Sequence, residues 1–469
     1  MSDGARQHSD HRRNTHFITG TSIIIATAFS LFALTLLAWT LGAVDQPSSS
    51  FGTPPAPVVI ATVIILGAVL AGAVALEAAA VLPILRRPNP RSISIDSIHG
   101  RDEEPADRPA YLIAVIPAHN EESALPSTLE ALQRQIRSPD QVIVIADNCI
   151  DQTIEVANRA GCTVFQTREN HGRKAGALNQ GLDRLLPDLG SQDLILVMDA
   201  DTRLSPHFIQ DALRILDTDQ AVSAVGGVFM GDSRSGVLAQ LQRNEFARYA
   251  RQIASRRGRV FVLTGTATVF RASVLKEVAL SRGGILPGEN GWVYAESSIT
   301  EDNEITLAVK TLGAHIVSPH ACRVTTETMP SLRTLWIQRL RWHRGALENL
   351  SDYGMQTSTA RYWMQQWGLA YGSMALPMSL IGVLVIPILM GQLVIWPFWV
   401  LVTLAFSIER GLSAWQTGWK GRLLAFSLVP EIVYSLVLQA CFLRALTAMM
   451  ASQSTVWGHL PAGQAGGNG

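Results

Sequence analysis

Two carboxylates, Asp199 and Asp201, stand two positions apart directly after the apolar run DLILVM. At a turn, such a pair can hold one hard divalent cation, Mg²⁺ or Mn²⁺, and share it with phosphate oxygens of a substrate. The bland reading is a solvated Asp-rich turn, and a single DxD is evenly balanced between the two. Two more polar clusters follow apolar runs in the same way: His119-Asn120-Glu121-Glu122 after YLIAVIP, which ends at Pro117, and Asp147-Asn148 after QVIVIA. Asn and Glu also suit a helix N-terminus, and Asp147 an ordinary turn. The recurrence of polar residues at three run ends favours a shared site.

Gly172 to Asn179 (GRKAGALN) opens a helical stretch with two cations, Arg173 and Lys174, and two glycines. Such a loop can hold a diphosphate. Its spacing is not that of a P-loop. In ESSITEDNEI, Glu301 and Asp302 offer a carboxylate that could act as general base near a sugar hydroxyl. By spacing alone Thr300 reads better as a helix N-cap. Gln338, Arg341 and Trp342 lie in QRLRW, within a basic stretch carrying Arg333, Arg339 and Arg344. Leu332, Leu335, Trp336 and Leu340 fit a helical stripe, so the segment also reads as an amphipathic helix on anionic lipid.

The elements that must position these residues alternate. Tyr111–Pro117, Gln141–Ala146, Thr163–Thr167 and Asp193–Met198 read as strands. Ser123–Ile136, Thr153–Ala160 and Ala175–Leu185 read as helices between them. The alternation predicts an α/β domain with a parallel sheet, whose ligands bind at the strand carboxyl ends. Asn120, Glu121, Asp147, Asp199 and Asp201 all fall there.

Outside this middle region the chain is apolar. Phe17–Leu41 and Val58–Leu85 are each long enough to cross a hydrocarbon core of about 30 Å, and Glu77 is the sole ionisable residue in the second. Leu369–Ile408 carries no charge and suits two spans turning near Gly391; Leu423–Met450, with Glu431 and Arg444, suits another. The expectation is a tail over 1–16, two spans within 17–85, a soluble domain over 86–330, interfacial helices over 331–366, about three spans over 367–450 and a tail over 451–469. Arg6, Arg12 and Arg13 precede the first span, and Arg86, Arg87 and Arg91 follow the second. The loop between them, 42–57, has no Lys or Arg. This asymmetry predicts an integral inner-membrane protein with a cytoplasmic middle domain. Lys plus Arg is 38 and Asp plus Glu is 38, so no bulk positive charge points to nucleic acid. The four cysteines show no CxxC spacing, so neither a zinc site nor a disulfide framework is expected.

Taken in order, PAHNEE, DNCIDQT, GRKAGALN, DAD, TGTATVFR (Thr264–Arg271), TED and QRLRW resemble the membrane-embedded family 2 glycosyltransferases. These include the cellulose, chitin, hyaluronan and poly-N-acetylglucosamine synthases. The resemblance implies a GT-A (Rossmann-like) cytoplasmic domain, a transmembrane domain of about five spans, a UDP-sugar donor and a Mg²⁺ or Mn²⁺ cofactor. It implies donor contacts at Pro117, His119, Asn120, Glu121, Asp147, Lys174, Asp199 and Arg341, and metal ligation at Asp201 and Asp199. It also implies an acceptor site at Thr264, Gly265, Thr266, Gln338 and Trp342, and catalysis at Asp302 with Glu301. The QxxRW motif is associated with processive enzymes that extend a polysaccharide at the membrane lipids, with a small membrane partner subunit as an option. The span layout looks most like poly-N-acetylglucosamine synthase, and the chain leaves no room for a C-terminal regulatory domain. The other readings are a non-processive transferase acting on a lipid or short acceptor, and a non-catalytic transporter. The Gly-rich segment 283–298 looks like a local insertion without an assigned role.

Overall fold

The computed structural model describes residues 110–256, 258–381, 388 and 397–451. The expected spans at 17–41 and 58–85, the turn near Gly391 and both tails, apart from Ala451, lie outside them. The chain divides between Leu335 and Trp336 into two compact units.

The first unit is built on a seven-stranded sheet. Strands β1 (Leu112–Ala118), β2 (Gln141–Ala146), β3 (Thr163–Gln166) and β4 (Leu194–Met198) enter in that chain order. Helices α1 (Leu125–Gln133), α2 (Thr153–Arg159) and α3 (Arg173–Leu185) connect them. After β4 come β5 (Arg203–Leu204), α4 (Phe208–Thr218), β6 (Val222–Gly226), β7 (Val228–Gly231), α5 (Val237–Ser255) and β8 (Ala267–Arg271). Then follow α6 (Ala272–Ser281), α7 (Glu301–Thr311), β9 (His315–Val317) and β10 (Arg323–Thr326). The spatial order is β3-β2-β1-β4-β8-β6-β9, with a small second sheet β5-β10-β7.

Every side chain of β1 and β4 is buried, because helices cover both faces; that is why their sequences are unbroken apolar runs rather than alternating ones. The chain adds β2 and β3 on one side of β1 and then β4 on the other, and this switch in order sets the site. β1 pairs in parallel with both β2 and β4, so the segments after all three emerge at one edge. The expectation of a parallel sheet holds for these strands and fails beyond them. β8 runs antiparallel to both β4 and β6. Its five residues are all buried, so their pattern carries no orientation. The antiparallel course brings the turn before β8, residues 263–266, to the same edge, where Asp199 N–H donates to Thr266 O at 3.0 Å. Arg271 ends β8 as a buried bracket, donating to the carbonyls of Val222 (2.9 Å) and Leu216 (2.6 Å).

Segment 283–300 has no regular structure beyond turns, yet it is fixed. Arg282 is 1% exposed. Its guanidinium pairs with Glu304 of α7 (Nη2 to Oε2, 2.8 Å) and donates to the carbonyls of Pro287 and Val293. Glu304 is itself 2% exposed.

The second unit holds most of α8 (Leu332–Tyr353), with α9 (Ala360–Leu380), α10 (Pro397–Ser413), α11 (Gly418–Phe426) and α12 (Val429–Met450). Leu347 of α8 and Phe442 and Ala445 of α12 form a small core, with Leu340 and Ala370 against it. Among the described residues one helix, α12, is long and apolar enough to cross a membrane. Glu431 is buried at its start and Arg444 is exposed.

Removing one partner of a buried ion pair leaves an unpaired charge and costs about 3–5 kcal/mol. Arg282→Met should therefore lower the melting temperature of the protein by on the order of 10 °C. The double variant Arg282→Met/Glu304→Leu should recover at least half of that loss, because no buried charge remains. A single variant as stable as the parent in a thermal melt would show that the pair does not hold the segment.

Candidate functional site

The edge formed by β1, β2 and β4 collects carboxylates. Asp199 follows β4, and its Oδ1 accepts from Lys174 Nζ at 2.6 Å. The same ammonium lies 2.6 Å from Glu301 Oε1. Lys174 sits in the first turn of α3, where Gly172 is the N-cap. Thus α3, the turn after β4 and the start of α7 meet at one cation. The two opposed carboxylates hold its pKa well above the ordinary lysine value against the cost of burial.

Among the described residues no cation pairs with Asp201 or Glu121. Burial and the neighbouring Asp199 push Asp201 up to about 6. Burial, then Asp201 and Asp199, push Glu121 up to about 7. Glu327, just after β10, adds to both shifts. The sequence reading missed Glu327, which reaches the cluster through the second sheet. A cluster of carboxylate oxygens that resist ionising together is a donor set a hard cation would relieve. Among the described residues no three ligating side chains converge, so water and phosphate oxygens would complete the shell, as Mg²⁺ prefers. The residues present therefore fit a divalent ion.

Asp147 is buried at the end of β2. Its Oδ1 accepts from Thr167 Oγ1 (2.8 Å), Asn170 Nδ2 (2.8 Å) and Asn148 Nδ2 (3.1 Å). No described residue bonds Oδ2, which leaves that oxygen for a ligand. Pro117 is buried in β1. His119 Nδ1 lies 2.6 Å from Asp147 O, so the ring holds the β1 and β2 ends together. Asn120 adopts φ 58° and accepts from Ile150 N–H at 2.8 Å. Glu121 N–H donates to Thr153 Oγ1 at 2.8 Å. Asn120 is thus a turn-forming residue here, while Glu121 turns its carboxyl toward the cluster.

Asp302 joins from α7. Thr300 is the N-cap of that helix but makes no side-chain cap. Instead Asp302 Oδ1 accepts from Asn303 N–H at 2.7 Å, and Oδ2 from Gly265 N–H at 3.2 Å. TED thus lies where the N-terminus of α7 meets the pocket wall, with Thr300 at the N-cap position but no side-chain cap. A Cβ on Gly265 would lie 3.2 Å from Asp302 Oδ2, so glycine permits this approach. Thr264 and Thr266 pair their hydroxyls at 2.5 Å, and Leu263 N–H donates to Thr306 Oγ1 of α7 at 2.9 Å. Burial first, and then Glu301, push the Asp302 carboxyl up to about 6, while Lys174 holds it down. A small pocket, open to solvent, runs from Lys174 and Leu178 to Gly265 and Asp302.

The GRKAGALN loop differs in one respect from the expected diphosphate cradle. The carboxylate of Glu296 lies against Gly172 and Gly176, where any side chain would collide with it or with Asn170. The first turn of α3 therefore faces a protein carboxylate.

Gln338, Arg341 and Trp342 belong to α8, in the second unit. There Arg339 is buried and stacks on the Trp342 ring at 4.4 Å. The face of Trp342 that the sequence offered to a sugar is thus, on one side, covered by arginine. Arg341 is exposed.

Two curated relatives match this region. The probable glycosyltransferase YdaM of Bacillus subtilis (strain 168) is 26% identical over 246 residues, covering 49% of this chain and 54% of that protein. The uncharacterized glycosyltransferase YaiP of Escherichia coli (strain K12) is 24% identical over 252 residues, covering 51% and 57%. The match thus spans about half the length of each relative. Among solved structures, the mannosyltransferase PcManGT from Pyrobaculum calidifontis, in complex with GDP-Man and Mn²⁺, aligns over 82% of this chain and 100% of its own. Its identity is 16% and its TM-score 0.49. The mixed α/β sheet, with its site at the carboxyl ends of β1, β2 and β4, is GT-A-like. The model of "Glycosyltransferase like family 2" matches residues 109–345, half of the chain and all of the sheet unit described above, and the chain belongs to that family.

Proposed function

We propose that the chain transfers a sugar from a nucleoside-diphosphate sugar to a hydroxyl of a growing glycan, inverting the anomeric carbon. The observation that carries this reading is one convergence. A carboxyl poised near 6, Asp302, shares a cavity with Lys174, whose ammonium also contacts Asp199 beside the Asp201 cluster. A general base works best with a pKa near the working pH.

In this mechanism Asp302 accepts the proton of the acceptor hydroxyl. The oxygen forms a bond to the anomeric carbon, and the bond from that carbon to the diphosphate oxygen breaks. The electron pair leaves with the nucleoside diphosphate. Lys174, held by Asp199 and Glu301, keeps positive charge near the departing group. Asp201 and Asp199 are the residues that would hold Mg²⁺ or Mn²⁺, and the chemistry supplied there is neutralisation of the leaving diphosphate. Asp147, with Oδ2 unbonded by described residues, would accept from an N–H of the nucleotide base. The Thr264–Thr266 turn would line the acceptor side.

The finer reading is processive synthesis of a polysaccharide by an integral inner-membrane enzyme with a cytoplasmic catalytic domain. The donor would be a UDP-sugar and the relationship nearest to poly-N-acetylglucosamine synthase. The QRLRW motif in α8, the apolar helix α12 and the arginine-bearing segments flanking the apolar runs at 17–41 and 58–85 support it. About five spans, contact with membrane lipids and a small partner subunit belong to the same proposal. Purified protein in nanodiscs, given a panel of UDP- and GDP-sugars with Mn²⁺ or Mg²⁺, tests it through nucleotide release and product size. A long product supports the processive reading. A product extended by one sugar replaces it with single transfer.

Two expectations are sharper. Asp302→Asn should lower kcat by about 10³-fold while leaving the Kd for the nucleoside diphosphate within about threefold. The charged carboxylate is the active form, and its pKa is raised. The wild-type rate should therefore fall about tenfold per pH unit below about 6 and level off above it. Turnover retained by Asp302→Asn would remove Asp302 as the base. Asp201 must likewise be ionised to bind metal, so Mn²⁺ affinity followed by electron paramagnetic resonance should drop about tenfold between pH 7.5 and pH 5. An affinity that does not depend on pH would place the ion elsewhere.

A further inference from the structure

The cavity beside Asp302 has a wall that no motif announced. Tyr294, from the irregular segment 283–298, lines it together with Lys174, Leu178, Thr264 and Asp302. Tyr294 is 3% exposed, so almost all of the ring is packed. Its hydroxyl meets no hydrogen-bond partner among the described residues and is not sealed from solvent, so it opens on the pocket.

The backbone around this ring is held from three elements. Asn179 of α3 donates to Tyr294 O at 2.9 Å and accepts from Tyr294 N–H at 2.8 Å. Arg282 donates to Val293 O from its Nε at 3.2 Å, and Ala295 N–H donates to Glu304 Oε2 at 3.4 Å. A ring whose backbone is held from three elements, and whose hydroxyl opens on the pocket beside Asp302, is placed to meet a ligand. Burial raises the pKa of the phenol further above its ordinary value, and Glu301, Glu304 and Asp302 add to the shift while Lys174 opposes it. The group is thus a neutral hydroxyl that can both donate and accept. Neutral sugar hydroxyls present the same chemistry.

We propose that Tyr294 is a specificity-determining residue that hydrogen-bonds a pyranose hydroxyl in this cavity, with the segment 283–298 serving to hold it there. The proposal rests on the glycosyltransferase reading. The hydroxyl it meets belongs to the donor sugar or to the terminal acceptor sugar, which the measurement separates.

The test compares the full chain in nanodiscs with Tyr294→Phe, which keeps the ring and removes only the hydroxyl. Titration calorimetry with Mn²⁺ would measure UDP and GDP, then their sugar derivatives. The melting temperature reports the fold, and Tyr294→Leu, which also removes the ring, separates packing from the hydroxyl. If the donor sugar is the partner, Tyr294→Phe binds the nucleoside diphosphate within about twofold of wild type and the nucleotide sugar about tenfold more weakly. If the acceptor sugar is the partner, nucleotide-sugar binding and donor hydrolysis are unchanged, and the acceptor KM rises about tenfold. Either outcome supports the assignment. Equal weakening of diphosphate and sugar nucleotide overturns it, as does a fall in kcat alone, or no change in any constant. A wild-type protein that binds no nucleoside diphosphate would instead sink the glycosyltransferase reading, and this proposal with it.

Discussion

Glu121, Asp199, Asp201, Glu301 and Asp302 crowd one edge of a sheet, and the ammonium of Lys174 stands 2.6 Å from two of them. Two unit charges 4 Å apart interact by about 4 kcal/mol at an effective dielectric near 20, so such a cluster is intrinsically repulsive. Lys174 offsets part of that repulsion and does so at a junction of three elements. It ties the start of α3 to the turn after β4 and to the start of α7. The positions of Asp199 and Asp302 are therefore not independent. Glu121 and Asp201 are pushed up by burial first and then by the neighbouring carboxylates, a repulsion that Lys174 only partly offsets at Asp201.

Much of this edge could be read from the chain. β1 and β4 are continuous apolar runs because both of their faces are covered, and the polar residues that break them fall at their carboxyl ends for the same reason. Hence the place of Asp147, Asp199 and Asp201 at one edge of the sheet is legible in the chain. The antiparallel direction of β8 was not, since ATVFR is buried throughout and a buried run reads the same in either direction. The pairing of Lys174 was not legible either. A basic loop can face a phosphate or a carboxylate, and its partners, Asp199 and Glu301, arrive from far along the chain. Tyr294 and Glu327 were missed for a related reason. They lie where periodicity carries no signal, and their place depends on Asn179, Arg282 and the second sheet.

The QRLRW residues show the limit of motif reading from the other direction. The motif marks Gln338, Arg341 and Trp342, but the side chain that stacks on the tryptophan is Arg339, one of two unmarked residues between them. Its burial costs charge solvation, which the aromatic face offsets only in part. His343 meets Phe442 edge-on at 5.4 Å, so α8 packs on α12 through the face of Leu340, His343 and Leu347, opposite the one that carries Gln338, Arg341 and Trp342.

The bracket formed by Asn179 and Tyr294 joins residues 115 positions apart. Closing so long a loop has a high entropic cost until the elements between are in place. The wall of the cavity therefore depends on α3 lying on the sheet and on α7 bringing Glu304 to Arg282. Competence to bind substrate thus reports completion of the whole sheet unit, and truncated chains that end before α7 should be unable to form the pocket even where their strands are paired.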